Sequence, residues 1–100
     1  MKKLLVLTTG GTLDKIYFEK LKSLIESTDA DRILITHGTD TMVNSANTIG
    51  PQLGKVIVFT GAMQPAAFTN TDAVFNIGTA VGALMSPATP EGCYLAMSGQ

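Results

Sequence analysis

The sequence predicts an α/β protein of three layers, α/β/α, in which helices cover both faces of a four-stranded parallel sheet. Short apolar runs alternate with longer stretches whose apolar residues recur at helical spacing. Each connection is long enough for a right-handed crossover, and strands joined by crossovers lie parallel. The first run, Leu4-Leu-Val-Leu7, is apolar throughout, which is typical of a strand buried on both faces.

The predicted elements alternate strand and helix three times before a last strand. They are Leu4 to Leu7, Glu19 to Thr28, Arg32 to Thr36, Asp40 to Ile49, Lys55 to Thr60, Asn70 to Met85, and Cys93 to Met97. Thr39 or Asp40 is the expected N-cap of the second helix, and Gly50-Pro51 its end. This order predicts a flavodoxin- or Rossmann-like fold in a single domain over residues 1–100.

All three predicted helices carry apolar residues at helical spacing, which in the second helix are Met42, Val43, Ala46 and Ile49. In the first helix the apolar face consists of Phe18, Leu21, Leu24 and Ile25; in the third it consists of Val74, Ile77, Gly78, Val81, Leu84 and Met85. Gly78 and Gly82 each cost about 1 kcal/mol of helix propensity relative to alanine. We therefore expect these glycines to allow close packing.

Composition excludes several classes of protein. The chain is 45% hydrophobic and 15% charged, with a formal net charge of −1, so it is globular and has no basic stripe for nucleic acid. No apolar run reaches the roughly 18–20 residues that span a bilayer. The single cysteine, Cys93, permits no internal disulfide and is interpreted as a small apolar residue of the last strand. These features favour a cytoplasmic protein without membrane or nucleic-acid partners.

Polar and glycine-rich loops follow the predicted strands. Because the carboxyl ends of parallel strands meet at one edge of a sheet, we expect these loops to share the edge where ligands bind in open α/β folds. They are Thr8 to Thr12, His37 to Thr41, Gly61 to Pro65, and Ser98 to Gln100. The first loop has neither the Gly-Lys-Ser/Thr of a P-loop nor the G-x-G-x-x-G order of a dinucleotide site.

Thr12, Thr39 and Asp40 are the candidate catalytic residues at this edge. A threonine hydroxyl is a weak nucleophile that needs a base or a proton network, and an oxyanion needs preorganised donors. Backbone N–H groups at the Thr39–Asp40 helix start and in the Gly61–Ala62 turn are suitable donors. Taken singly, Thr39 and Asp40 are equally typical of a helix cap. The only histidine, His37, is interpreted as a core or turn residue, and no cluster at metal-ligand spacing accompanies it.

Three segments together resemble the bacterial-type L-asparaginases, and most closely the small single-domain asparaginase-like proteins. They are Thr9-Gly-Gly-Thr12, Leu34-Ile-Thr-His-Gly-Thr-Asp-Thr-Met42, and Thr60-Gly-Ala-Met-Gln-Pro65. They stand in the family's order, each after an expected strand, and the resemblance covers nearly all of the chain. It implies the fold of the asparaginase N-terminal domain.

The resemblance also implies a function and a site. Such enzymes hydrolyse asparagine to aspartate and ammonia through an acyl-enzyme, with no metal or organic cofactor. The resemblance implies that Thr12 is the nucleophile. It implies that Thr39 is the second catalytic threonine, which positions and activates water, and that Asp40 binds the substrate α-amino group. The residues implied to bind substrate are Gly11, Gly38, Thr39, Asp40 and Ala62.

The chain departs from the family in ways that predict weak or absent turnover. Only Leu13 to Thr36 separates the first two motifs, which leaves out the family's mobile loop, and Tyr17 lies too near Thr12 to match that loop's tyrosine. The chain stops at Gln100 before the family's catalytic lysine, and Gln64 replaces a common arginine. A non-catalytic amino-acid-binding domain and a ligand-free scaffold therefore remain alternatives. The shortened sheet predicts an exposed edge strand and self-association into a homo-oligomer.

Overall fold

The computed structural model describes residues 3–9, 15–62 and 71–98. In chain order the elements are β1 (Leu4–Thr8), α1 (Lys15–Ser27), β2 (Arg32–Thr36), α2 (Met42–Ile49), β3 (Val56–Thr60), α3 (Ala73–Met85) and β4 (Gly92–Ala96). The strands form one parallel sheet in the order β1-β2-β3-β4. Helices pack on both faces, which confirms the predicted three-layer α/β fold.

The core is centred on β2 and β3, the two inner strands. Every residue of β3 is buried, and so is every residue of β2 except Thr36. Their side chains alternate between two clusters. Ile33 and Ile35 pack with α1 and α2 on one face, whereas Leu34 packs with α3 on the other. Both clusters need these strands to be apolar without interruption.

The crossovers do not all have the same hand. The strand order is sequential, so each connection moves one place in the same direction across the sheet. Two of the connecting helices, α1 and α2, lie on one face and α3 lies on the opposite face. The β3–α3–β4 connection therefore has the opposite hand to the other two, and the prediction that every crossover is right-handed is wrong.

Strand β1 lies at the edge of the sheet and is not buried on both faces as predicted. Leu4 and Val6 are 46% and 51% exposed, whereas Leu5 and Leu7 pack against the cluster beneath α1 and α2. The exposure arises because α3 packs over β2, β3 and β4 but not over β1. The face of β1 that lies on the same side of the sheet as α3 is therefore uncovered. An apolar run thus predicted the strand correctly but not its place in the sheet.

The face that helix α3 turns to the sheet overlaps only partly with the predicted one: Leu84 and Val81 pack there as predicted, but other predicted residues do not. Its buried residues are Asn76, Ala80 and Leu84, whereas Val74 and Met85 are 78% and 65% exposed. The expectation that its two glycines allow close packing is also wrong. A Cβ atom built at Gly78 or Gly82 meets no other atom within 4 Å.

Helix bounds also differ from prediction. α1 begins at Lys15 rather than Glu19, and α2 begins at Met42 with Thr41 as its N-cap, so neither Thr39 nor Asp40 caps it. The Thr41 side chain makes no capping hydrogen bond. The predicted end at Gly50 is confirmed: its N–H donates to Ala46 O (2.8 Å) and its φ is +63°, which glycine adopts without strain. Among the described residues, no helix is long and apolar enough to cross a membrane.

Replacing either exposed glycine of α3 by alanine is expected to stabilise the fold. The new methyl group meets open space, and alanine removes backbone entropy from the unfolded chain, for a gain of about 0.5–1 kcal/mol in the free energy of unfolding. Urea unfolding of Gly78→Ala and Gly82→Ala measures this gain. A loss of stability in both variants would show that these positions are tightly packed after all.

Candidate functional site

Hydrogen bonds connect the carboxyl ends of all four strands. The Thr9 N–H and Oγ1 both donate to Thr36 O, at 3.0 and 2.9 Å. The next residue along, His37, donates its N–H to Thr60 O at 2.9 Å, and Thr60 Oγ1 donates to Ala96 O at 2.7 Å. The first described residues after each strand therefore lie side by side. They lie at the edge of the sheet where the sequence predicts ligand binding.

The loops after β2 and β3 are in direct contact at Gly61. A Cβ atom at this position would lie 2.4 Å from His37 O and 3.5 Å from Thr39 Cγ2. No real Cβ atom approaches a backbone oxygen so closely, so only glycine fits. This close approach brings the Gly61–Ala62 turn against the turn that carries Thr39.

The buried His37 side chain holds the β2–α2 turn in place by hydrogen bonds. Its ring is 4% exposed; Nδ1 lies 2.7 Å from Gly38 O and Nε2 lies 2.9 Å from Ser45 Oγ. A carbonyl oxygen only accepts, so Nδ1 donates the hydrogen bond to Gly38 O. The hydrogen bond between Nε2 and Ser45 Oγ ties the turn to α2. This burial confirms the interpretation of His37 as a core or turn residue.

Thr39 and Asp40 lie in the same turn as His37, immediately before α2. Thr39 is half-buried and Asp40 is exposed. Neither side chain is hydrogen bonded to another of the described residues, so the hydroxyl and carboxylate remain available to a ligand. The free N–H groups of the first turn of α2 add a positive partial charge beside Asp40. The arrangement offers a donor, an acceptor and a negative charge within one turn.

The structure brings together four of the predicted site residues and does not place the other two. Gly38, Thr39 and Asp40 share one turn, and Ala62 follows the glycine that contacts it. Gly11 and Thr12 lie outside the described residues, as does Gln64. The described part of the chain holds no group of three His, Cys, Asp or Glu side chains that could bind a metal ion.

The sequence reasoning missed Asn76, a fully buried residue of α3 that supports the same edge. Its Nδ2 donates to Gly61 O at 2.8 Å, and its Oδ1 accepts from the Ser98 N–H at 2.9 Å. Asn76 thus holds the loops after β3 and β4 in fixed positions. Its spacing of four and eight residues from Ala80 and Leu84 is the signal that could have revealed it.

Comparison with known proteins assigns the family. The family model described as "Asparaginase, N-terminal" matches residues 13–100. A glutaminase-asparaginase of Pseudomonas aeruginosa is 40% identical over 60 residues, which are 58% of this chain and 17% of that protein. L-asparaginase 2 of Bacillus subtilis is 31% identical over 71 residues, which are 69% of this chain and 19% of that protein.

A solved structure agrees with this assignment at the level of the fold. A probable cytoplasmic L-asparaginase from Campylobacter jejuni superposes with a TM-score of 0.79 at 20% identity, over 98% of this chain and 45% of that one. The fold and the edge loops thus define a domain of the asparaginase N-terminal type. The chain belongs to the asparaginase family, and the aligned part spans less than a fifth of the two curated relatives.

Gly61→Ala is expected to destabilise the fold by at least about 2 kcal/mol, because its methyl group collides with the backbone oxygen of His37. Chemical denaturation measures the change, with Gly82→Ala as the matched control in open space. Equal stabilities of Gly61→Ala and the parent would contradict the close approach of the two loops.

Cys93 is expected to react slowly with thiol reagents near neutral pH. It is half-buried, its Sγ lies 3.7 Å from Ala46 O, and burial raises the pKa of its thiol, which lowers the thiolate fraction at a given pH. Colour development with a disulfide reagent at pH 8 measures the rate, and the same chain in urea is the control. A folded chain that reacts as fast as the unfolded one would contradict the burial.

Proposed function

We propose that this chain is an asparaginase-type amidohydrolase that converts L-asparagine to L-aspartate and ammonia. The observation that carries the proposal is the β2–α2 turn, in which the Thr39 hydroxyl and the Asp40 carboxylate, neither hydrogen bonded to another described residue, lie together at the carboxyl edge of the sheet. Family membership supports the reaction class, and the hydrogen bonds of His37 support a rigid turn.

In the proposed reaction Thr12 is the nucleophile. Its Oγ attacks the carbonyl carbon of the side-chain amide, the C–N bond breaks, and the hydroxyl proton leaves with the nitrogen as ammonia. Water then hydrolyses the resulting threonyl ester, which releases aspartate and restores the hydroxyl. Thr39 positions and activates this water, and Asp40 binds the α-amino group by charge. The pocket that holds the substrate is lined by Gly11, Gly38 and Ala62.

We expect turnover to be slow. Only α1 and its flanking residues connect β1 to β2, so this connection has no room for the family's long mobile loop. Catalytic groups act together, and the loss of one member of such a unit typically removes most of the rate. The alternative is a domain that binds amino acids without turnover; the exposed Asp40 carboxylate favours it, because binding an ammonium group needs no nucleophile.

The proposal extends to the setting of the reaction. We propose a single domain over residues 1–100 that acts on a small-molecule substrate in the cytoplasm, without metal, organic cofactor, nucleic acid or membrane. The similarity to a probable cytoplasmic L-asparaginase supports the location. The open edge of the sheet at β1 supports the predicted homo-oligomer.

Ammonia release from L-asparagine tests the proposed activity. The parent is expected to release ammonia, whereas Thr12→Ala and Asp40→Asn are expected to lose at least tenfold in rate, because they lack the nucleophile and the amino-group partner. Thr48→Ala is the matched control: Thr48 is exposed on α2, and its hydroxyl bonds only to Asn44 O. Equal rates in all four proteins would reveal a contaminant and refute the assignment.

Binding of L-aspartate separates the two functions if ammonia release is absent. Calorimetry is expected to show binding by the parent and at least a tenfold weaker affinity in Asp40→Asn, because the variant loses the charge that faces the ammonium group. The same titration of Thr48→Ala should match the parent. Absence of any binding to the folded parent would leave the ligand-free scaffold as the correct description.

A further inference from the structure

The unpaired edge of β1 is a feature of the fold that the proposed reaction does not use. β1 pairs with β2 on one side only, and no other described residue pairs with its second side. All its residues except Thr8 are apolar, a pattern typical of strands with neighbours on both sides. An edge strand usually carries charges, proline or a bulge that prevent further pairing. β1 has none of these between Leu4 and Thr8.

The backbone groups on this free edge follow from the hydrogen bonds to β2. Lys3 O accepts from Arg32 N, and Thr9 N donates to Thr36 O, so the odd-numbered residues of this segment face β2. Because successive residues alternate, the N–H and C=O groups of Leu4, Val6 and Thr8 point away from the sheet. The free edge thus offers three donors and three acceptors, with Val6 at the centre.

This set of groups is complementary to itself. A two-fold axis at Val6 sets a second β1 antiparallel to the first, with Val6 opposite Val6 and Leu4 opposite Thr8. All three outward residues of each copy then find partners, which gives six new hydrogen bonds between the copies. No like charges meet in the paired segment, and the flanking Lys3 ammonium already pairs with Asp29.

Apolar side chains beside the edge add to the contact. On the face that α3 leaves open, Val6 is about half exposed and would lie against Val6 of the second copy, and Leu4, exposed to a similar extent, would lie against Thr8 of the second copy. A stable dimer needs roughly 800 Å² per partner, more than a five-residue strand supplies alone, so these flanking side chains must contribute.

We propose that two copies of this chain associate through antiparallel pairing of their β1 strands about a two-fold axis at Val6, which forms a continuous eight-stranded sheet. The proposal is independent of the proposed hydrolysis, because it uses only the edge of the sheet and not the carboxyl-end loops. A second copy is favoured over a different partner because the outward groups match themselves about Val6. Since the strand interface is short, we expect dissociation in the micromolar range.

A charge exchange at the axis tests the proposal. The parent is expected to sediment as a dimer at about 100 µM. Val6→Lys and Val6→Glu should each raise the dissociation constant at least tenfold, because the axis places like charges opposite each other. An equimolar mixture of the two variants should regain the dimer, because lysine then faces glutamate. This rescue is expected only if residue 6 of one copy meets residue 6 of the other.

The opposite edge of the sheet provides the matched control. Leu95 of β4 is 39% exposed, and Leu95→Lys places the same charge on the other edge strand. It is expected to leave the dimer intact. A monomeric parent, a dimer lost only in Leu95→Lys, or a mixture of the Val6 variants that stays monomeric would each overturn the proposal.

A near-isosteric variant covers the case in which a charge at residue 6 prevents folding. In a Cys93→Ser background, Val6→Cys is expected to form a disulfide-linked dimer under mild oxidation, because the two Cα atoms of a hydrogen-bonded pair lie about 5.5 Å apart. Leu53→Cys, at a position 95% exposed and far along the chain from β1, is the control for random collision. Equal cross-linking at both positions would refute pairing at Val6.

Discussion

The parallel, in-register pairing of β2 with β3 is the constraint on which the rest of the structure depends. Thr36 lies opposite Thr60, so both strands end at the same level and their loops emerge as neighbours. Only this register places the His37 carbonyl against Gly61. A slip of one residue would also turn the core side chains of the slipped strand to the opposite face. The register of the two strands therefore fixes the site as well as the core.

The unequal cover of the two faces explains the other features of the fold. In the part of the chain that the structure describes, two helices share one face and α3 alone covers the other, so the sequential strand order requires one connection of opposite hand. A single helix cannot cover four strands, and β1 is the strand left open on that side. The half-exposed Leu4 and Val6 are thus a consequence of topology and not of local sequence.

The strands and their alternation with helices along the chain were predictable from the sequence, because short apolar runs between polar turns have few other interpretations. The orientation of α3 was not, because its apolar residues surround most of the helix and give a weak period. Its orientation is decided by Asn76, whose buried amide requires Gly61 O and the Ser98 N–H as partners. These partners lie far apart in sequence. The contact of Gly61 with His37 also joins residues that lie far apart in sequence. The motif around Thr39 and Asp40 therefore predicted their turn but not the contacts that support it.

The edge of β1 and the candidate site meet at the end of the same strand. Thr9 is held to Thr36 by two hydrogen bonds, and Thr8, the residue before it, carries the last outward N–H and C=O groups of the free edge. In the proposed dimer this strand end, which leads into the loop of Thr12, is fixed from both sides. Pairing on the free side of β1 would therefore restrain the strand end that leads into this loop, in addition to the two hydrogen bonds from Thr9, although the dimer contact itself uses only the edge of the sheet.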